Sequence, residues 1–127
     1  MVVHGGSKHS TTKIHKINGE LFATSGCMSI GVARLEWARA GMDAETYPRS
    51  TCDDEWGQVL RITSDRRILL YNINGWPMHF EVPRYAIGSG TDFALAAMYL
   101  GHSAVEAVEV ASALCTDCGM GIDTLEL

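Results

Sequence analysis

The hydrophobic residues of this chain change their period several times, and each change predicts an element. Residues 1 to 11 are mostly polar and read as a frayed terminus. From Thr12 to Ile17 polar and apolar residues interleave, so Ile14 and Ile17 point to opposite faces of a strand. Asn18-Gly19 is a two-residue hairpin signal, because both residue types tolerate positive φ. Glu20 to Ser25 returns as a second strand, ended by Gly26. The spacing then becomes helical. Ile30, Val32, Ala33, Leu35, Trp37 and Ala38 sit among Arg34, Glu36 and Arg39, which predicts a partly buried helix over Met28–Ala40. Gly41 is its stop. Residues 42 to 54, with Pro48 and Asp53-Asp54, read as a polar loop.

A β-meander follows. Trp56 to Thr63 is a strand with Val59, Leu60 and Ile62 as its apolar members. Ser64 to Arg67 is a turn, and Ile68 to Tyr71 is a continuous apolar strand of the kind buried on both faces. Asn74-Gly75 signals a second hairpin, and Trp76 to Val82 returns, with Pro77 pointing to an edge. After Pro83, Tyr85-Ala86-Ile87 reads as a short strand. Gly88-Ser89-Gly90 is a tight corner into a helix from Thr91 to about Leu100, capped by Thr91 or Asp92 and stopped by Gly101. Ser103 and Glu106 form a capping box that starts another helix through Val105, Val108, Ala111 and Leu114. Ile122 to Leu125 is a candidate last strand. The order β-β-α-β-β-β-β-α-α-β predicts an α+β fold with two facing sheets and helices outside.

At 127 residues the chain is long enough for one domain, 1–127, with a real core. Its 46% hydrophobic and 20% charged residues are ordinary for a soluble globular protein. No apolar run nears the roughly 20 residues of a membrane helix. The start, Met-Val-Val-His-Gly-Gly, has no basic segment followed by an apolar one, so a cytoplasmic setting is expected, with no membrane partner. Net charge is −5, and the ten Lys and Arg are scattered, which argues against a nucleic-acid partner. A basic protein surface is compatible with that charge.

Candidate chemistry is sparse. His4 and His9 lie in the terminal stretch, and the Asp53-Asp54 pair reads as solvated loop. No cofactor and no metal site is expected. Cys115-Thr116-Asp117-Cys118 is half of a zinc site, or a redox motif if it opens a helix; it follows one instead, and the expectation is small buried hydrophobes. A glycine corner such as Gly88-Ser89-Gly90 can cradle phosphate, but it is too short to specify that.

An ordered set of motifs changes the picture. Thr11-Thr12-Lys13-Ile14, Asn18-Gly19, Ser25-Gly26 before a helix, Ala86-Ile87-Gly88-Ser89-Gly90-Thr91-Asp92-Phe93, Gly101-His102-Ser103-Ala104-Val105-Glu106 and Gly119 to Leu125 follow one another across nearly the whole chain. In order and spacing they resemble proteasome β-type N-terminal-nucleophile (Ntn) hydrolases, especially short versions from phage and bacterial genomes. The resemblance implies an α-β-β-α sandwich. It implies chemistry in which a Thr, Ser or Cys at the mature N-terminus attacks an amide carbonyl, with its own α-amine as base. Lys13 then matches the active-site lysine, Gly26 the oxyanion-hole glycine and Ser89 the serine near the nucleophile's amine.

The departures point elsewhere. The family's nucleophile strand and its Ala-Asp-Ser strand have no counterpart here, and Met1-Val2 offers no nucleophilic atom. Cys115 and Cys118 stand where the family has Asp and a hydroxyl residue, and Met120 replaces a glycine. The expectation is a truncated, non-catalytic scaffold that binds or inhibits a protein partner, or self-associates as a homo-oligomer. Lys13, Gly26 and Ser89 would be its vestigial site. For a phage-encoded chain, an antagonist of host defence such as an anti-CRISPR protein fits this expectation. The alternative is a threonine-type peptidase or amidase whose true start lies upstream. A third idea makes Cys27, beside Gly26, a substitute nucleophile.

Overall fold

The computed structural model describes the backbone of residues 2–4 and 7–9, and residues 12–50, 56–119 and 121–127 in full. Asp53-Asp54, Cys52, Met120 and the side chains of His4 and His9 lie outside the described residues. The fold is α+β. Its strands are β1 (Val2–His4), β2 (Ser7–His9), β3 (Ile14–Ile17), β4 (Glu20–Gly26), β5 (Gly57–Ile62), β6 (Ile68–Tyr71) and β7 (Met78–Phe80). Its helices are α1 (Met28–Arg39), α2 (Thr91–Tyr99) and α3 (Ala104–Leu114), with a short 3-10 turn over Ala44–Thr46. The chain groups into two compact units, one of Met1–Thr12 with Pro83–Thr124, the other of Lys13–Val82 with Leu125–Leu127.

The second unit is a five-stranded antiparallel sheet in the order β3-β4-β5-β6-β7, with α1 on one face. The Asn18-Gly19 turn forms as the sequence predicts: φ is +51° and +78°, and Ile17 pairs with Glu20. Alternation along the strands puts Ile17, Phe22, Val59, Leu69 and Tyr71 on the α1 side, where they meet Leu35, Trp37, Ala38 and Tyr47. Burying side chains of this size contributes about 1.5–3 kcal/mol each. Three rings form the centre. Trp37 stands edge-on to Tyr47 and Tyr71 at 4.9 and 5.5 Å, and the two tyrosines stack at 6.0 Å. The guanidinium of Arg61 closes this face. It donates to both carboxylate oxygens of Glu20 at 3.1 and 2.9 Å and to the Tyr71 hydroxyl at 3.1 Å. All four β6 residues are buried, as the continuous apolar run implies.

Helix α1 stops where Gly41 predicts. The Gly41 amide donates to Ala38 and the Met42 amide to Trp37, with Gly41 at φ +110°, so the last carbonyls are satisfied by a left-handed cap. One residue of this helix departs from the sequence reading. Arg34, grouped there with the polar positions, is buried at 1% exposure, whereas Val32 faces solvent. The spacing Ile30, Arg34, Trp37, Ala38 is the buried stripe itself.

The first unit holds the β1–β2 hairpin and the α2–α3 pair. Within the stretch read as frayed, Val2–His4 and Ser7–His9 pair antiparallel, with His4 opposite Ser7. Helices α2 and α3 meet through Met98 and the small residues Ala94, Ala97, Ala107 and Ala111, which let the two backbones approach. The Ser103–Glu106 capping box forms in full, with Glu106 N–H to Ser103 Oγ at 3.2 Å and Ser103 N–H to Glu106 Oε1 at 3.0 Å.

Five further expectations change. Gly90 is the N-cap of α2, so neither Thr91 nor Asp92 caps it. Thr91 is already helical, and its hydroxyl donates to Gly88 O at 2.7 Å. Tyr85–Ile87 is irregular, held short between Pro83 and Gly88. Ile122–Leu125 is irregular as well, exposed and next to Gly121 at φ +100°. The strand expected over Trp76–Val82 shrinks to Met78–Phe80, because Pro77 has no N–H for the ladder and Val82 precedes Pro83. In place of two full sheets, the described residues carry one five-stranded sheet and a two-stranded hairpin.

Candidate functional site

Lys13 and Gly26 belong to the same corner of the second unit. Lys13 lies just before β3, half-buried, and its carbonyl accepts the Thr24 amide at 3.0 Å. In an antiparallel ladder successive amides alternate between the two neighbouring strands. The Thr24 amide turns toward β3 and the Cys27 amide donates to Trp56 O at 2.6 Å on the β5 side. The Gly26 amide therefore turns toward the β3 side, about 7 Å along the strand from the position opposite Lys13.

Gly26 is glycine for a reason visible in the packing. Its φ is +98°, and a Cβ there would stand 2.5 Å from Trp56 O and 2.6 Å from Trp56 Cε3. Its cross-strand partner Gly57 is equally constrained, since a Cβ would stand 2.8 Å from Ile30 Cγ2. Cys27, the residue before α1, has its sulfur 3.1 Å from Ser29 Oγ.

Sequence reasoning missed the residue that braces this corner. Arg34 Nη1 donates to Gly57 O at 2.8 Å, Nε to Pro48 O at 3.1 Å and Nη2 to Ser50 Oγ at 3.2 Å. Its guanidinium lies 4.9 Å from the Tyr47 ring centre. One side chain thus ties α1 to the start of β5 and to the loop before it. Burial pushes the Tyr47 phenol up to about 12, partly offset by the Arg34 charge and reinforced by Tyr71. The Tyr47 hydroxyl donates to Asn72 O at 2.6 Å. The available signal was the position of Arg34 on the buried stripe of α1.

Ser89 belongs to the first unit and is exposed at the tip of its corner. Gly88 has φ +102°, and its carbonyl receives both the Thr91 amide and the Thr91 hydroxyl, which fixes the turn. Gly90 is buried, and a Cβ there would stand 2.8 Å from Ala111 Cβ and 2.9 Å from Cys118 Sγ. The corner therefore packs on the end of α3. Cys115 and Cys118 are half-buried thiols rather than the buried hydrophobes expected. Among the described residues no three His, Cys, Asp or Glu side chains gather as metal ligands, and no helix is long and apolar enough to cross a membrane.

The first unit also carries a groove of about 610 Å³ lined by Pro83, Arg84, Leu95, Met98, Tyr99 and Leu100. Arg84 reaches across to donate to Met98 O at 2.8 Å, at the carbonyl end of α2, where a cation is favoured. Tyr99 is 88% exposed and Leu100 75%.

No protein-family model matches the sequence, and no curated protein matches it. Among solved structures, the chain is similar to Thiobacillus denitrificans BPH with a TM-score of 0.61 and 20% identity, covering 86% of this chain and 75% of that one. It is similar to the same protein in complex with epoxomicin at a TM-score of 0.62 and 21% identity, covering 87% and 75%. At that identity the likeness is one of fold.

Proposed function

We propose that this chain is a non-catalytic protein-binding domain on an Ntn-hydrolase-like, proteasome-β-like scaffold. One observation supports the binding part above others: the apolar groove beside α2, with Tyr99 and Leu100 largely exposed at its rim. Contiguous exposed apolar surface of this kind marks interaction sites, and buried aromatic anchors carry most of the energy in such interfaces. The fold likeness to BPH and the ordered motifs support the scaffold. On this reading residues 1–127 belong to a single domain. Lys13, Gly26 and Ser89 then shape corners rather than a reaction. The partner is a protein surface or a second copy, met in the cytoplasm.

The test pairs light scattering on the purified chain with capture of a partner from the source cell. Leu100→Glu with Tyr99→Ser is expected to weaken whichever association the wild type shows by at least tenfold, at unchanged thermal stability. Full retention of the association by this double variant refutes the binding role of the groove.

A second reading has one specific observation behind it. A structural neighbour is seen in complex with epoxomicin. In this reading the native chain is a threonine-type peptidase or amidase that carries its nucleophile upstream. Epoxomicin added to chain isolated from its source, followed by intact mass, decides it: an adduct lost in Lys13→Ala favours the enzyme and overturns the non-catalytic reading.

A further inference from the structure

The end of α3 carries two thiols whose geometry the binding reading does not use. The Cys118 amide donates to the Cys115 carbonyl at 3.2 Å, closing a four-residue turn over Cys115-Thr116-Asp117-Cys118. A turn of this kind holds its end Cα atoms within about 7 Å. A disulfide spans Cα separations of about 4.4–6.8 Å. Both residues are half-buried, so a small solute reaches them. The Cys118 sulfur is engaged on its other side, packed where a Gly90 Cβ would stand 2.9 Å away, against the N-cap of α2.

We propose that Cys115 and Cys118 are a modification site, a dithiol that hydroperoxides convert to an intramolecular disulfide, and that its closure loosens the Gly88-Ser89-Gly90 corner. The motif follows a helix rather than opening one, so it is a target of oxidation and not the attacking dithiol of an oxidoreductase. In the first step one thiolate attacks an oxygen of the hydroperoxide. An S–O bond forms, the O–O bond breaks and the alcohol, or water, leaves, giving a sulfenic acid. The second sulfur then attacks that sulfur. The S–S bond forms, the S–O bond breaks, and water leaves with the thiol proton. Two thiols have lost two electrons, and the hydroperoxide has gained them. Because the bond draws the Cys118 sulfur toward Cys115, it withdraws that sulfur from Gly90, and the first turn of α2 loses a packing neighbour.

The chain itself makes the test clean. All ten Lys and Arg precede Tyr85, so trypsin releases 85–127 as a single peptide holding Cys115 and Cys118 and no other cysteine. The reduced full chain is treated with hydrogen peroxide, alkylated with iodoacetamide and digested. The expected result is a peptide two hydrogens lighter that takes up no alkyl group, and that takes up two after dithiothreitol. Cys115→Ser and Cys118→Ser should each block the loss of two hydrogens and leave a sulfenic acid that a dimedone probe traps. Hydrogen exchange on the oxidised chain should run at least fivefold faster at the amides of Ser89 to Ala94 than on the reduced chain, with α3 unchanged. A peptide that stays doubly alkylated while Cys27 oxidises overturns the site. Disulfides found only between chains overturn it too. Unchanged exchange at the corner overturns the coupling.

Discussion

Replacing Arg34 by Met tests how the second unit is held together. Methionine keeps most of the length and apolar volume of the side chain and removes the guanidinium. The Gly57 and Pro48 carbonyls, which receive it at 2.8 and 3.1 Å, stay behind. Leaving a buried acceptor without its donor costs about 1–3 kcal/mol. Losing a desolvated cation–π contact such as the one on Tyr47 costs about 1–2 kcal/mol. Against this, taking a charge out of the interior recovers desolvation energy, and removing buried ion pairs altogether is often neutral. Here two of the acceptors, Pro48 O and Gly57 O, are main-chain carbonyls that no side-chain substitution deletes, so the loss outweighs the recovery. A net destabilisation of about 2–4 kcal/mol follows, a large share of the roughly 5–15 kcal/mol of a natural domain. All three tryptophans, Trp37, Trp56 and Trp76, belong to this unit, so urea unfolding followed by their fluorescence reads it selectively. Arg34→Lys should recover only part of the loss, since one ammonium cannot span Pro48, Ser50 and Gly57. An Arg34→Met midpoint equal to wild type within about 0.5 kcal/mol would show that the guanidinium is a passenger.

Three more outcomes follow from the same geometry. Tyr47 holds its proton up to about pH 12 when folded and to about 10 when unfolded, so the unfolded chain binds fewer protons between those values. Stability is therefore full below pH 10 and falls as pH rises, by about 1 kcal/mol at pH 11. Tyr47→Phe should flatten that decline in urea melts while lowering stability at pH 7 by about 1 kcal/mol for the lost bond to Asn72 O. Gly26→Ala should destabilise by more than about 2 kcal/mol in the same melts, because φ +98° is strained for alanine and Trp56 occupies its Cβ position. Ser103→Ala breaks half of the capping box and should cost about 1 kcal/mol, read as faster exchange over the first turn of α3 with the five-stranded sheet unaffected.

Local chemistry was legible in the sequence at several self-contained signals, although Thr91 and Asp92 do not cap α2 and Asn74-Gly75 lies in a longer connection than a two-residue turn. Asn18-Gly19, Gly41, Gly101 and the Ser103–Glu106 box each act within about six residues, and each does in the structure what its residue types dictate. The buried β6 and the edge position of β7 followed from composition and Pro77 alone. Lys13 and Gly26 could be named as candidates, but their nearness depends on the pairing of β3 with β4.

What the sequence could not decide was the choice of partners. A strand depends on its pairing with another strand as well as on its composition: Tyr85–Ile87 and Ile122–Leu125, strand-like in composition, are irregular, while Val2–His4 pairs with the polar Ser7–His9. Arg34 reads as a surface residue until the loop at Pro48 and Ser50 and the carbonyl of Gly57 surround it. The thiols of Cys115 and Cys118 acquire meaning only through the turn that joins them and the glycine they face. By itself the sequence determined several turns and caps and the α+β class, because these rest mostly on a few adjacent residues. Only the tertiary structure decided which polar groups are buried and what they hold, because burial is set by residues distant in the chain.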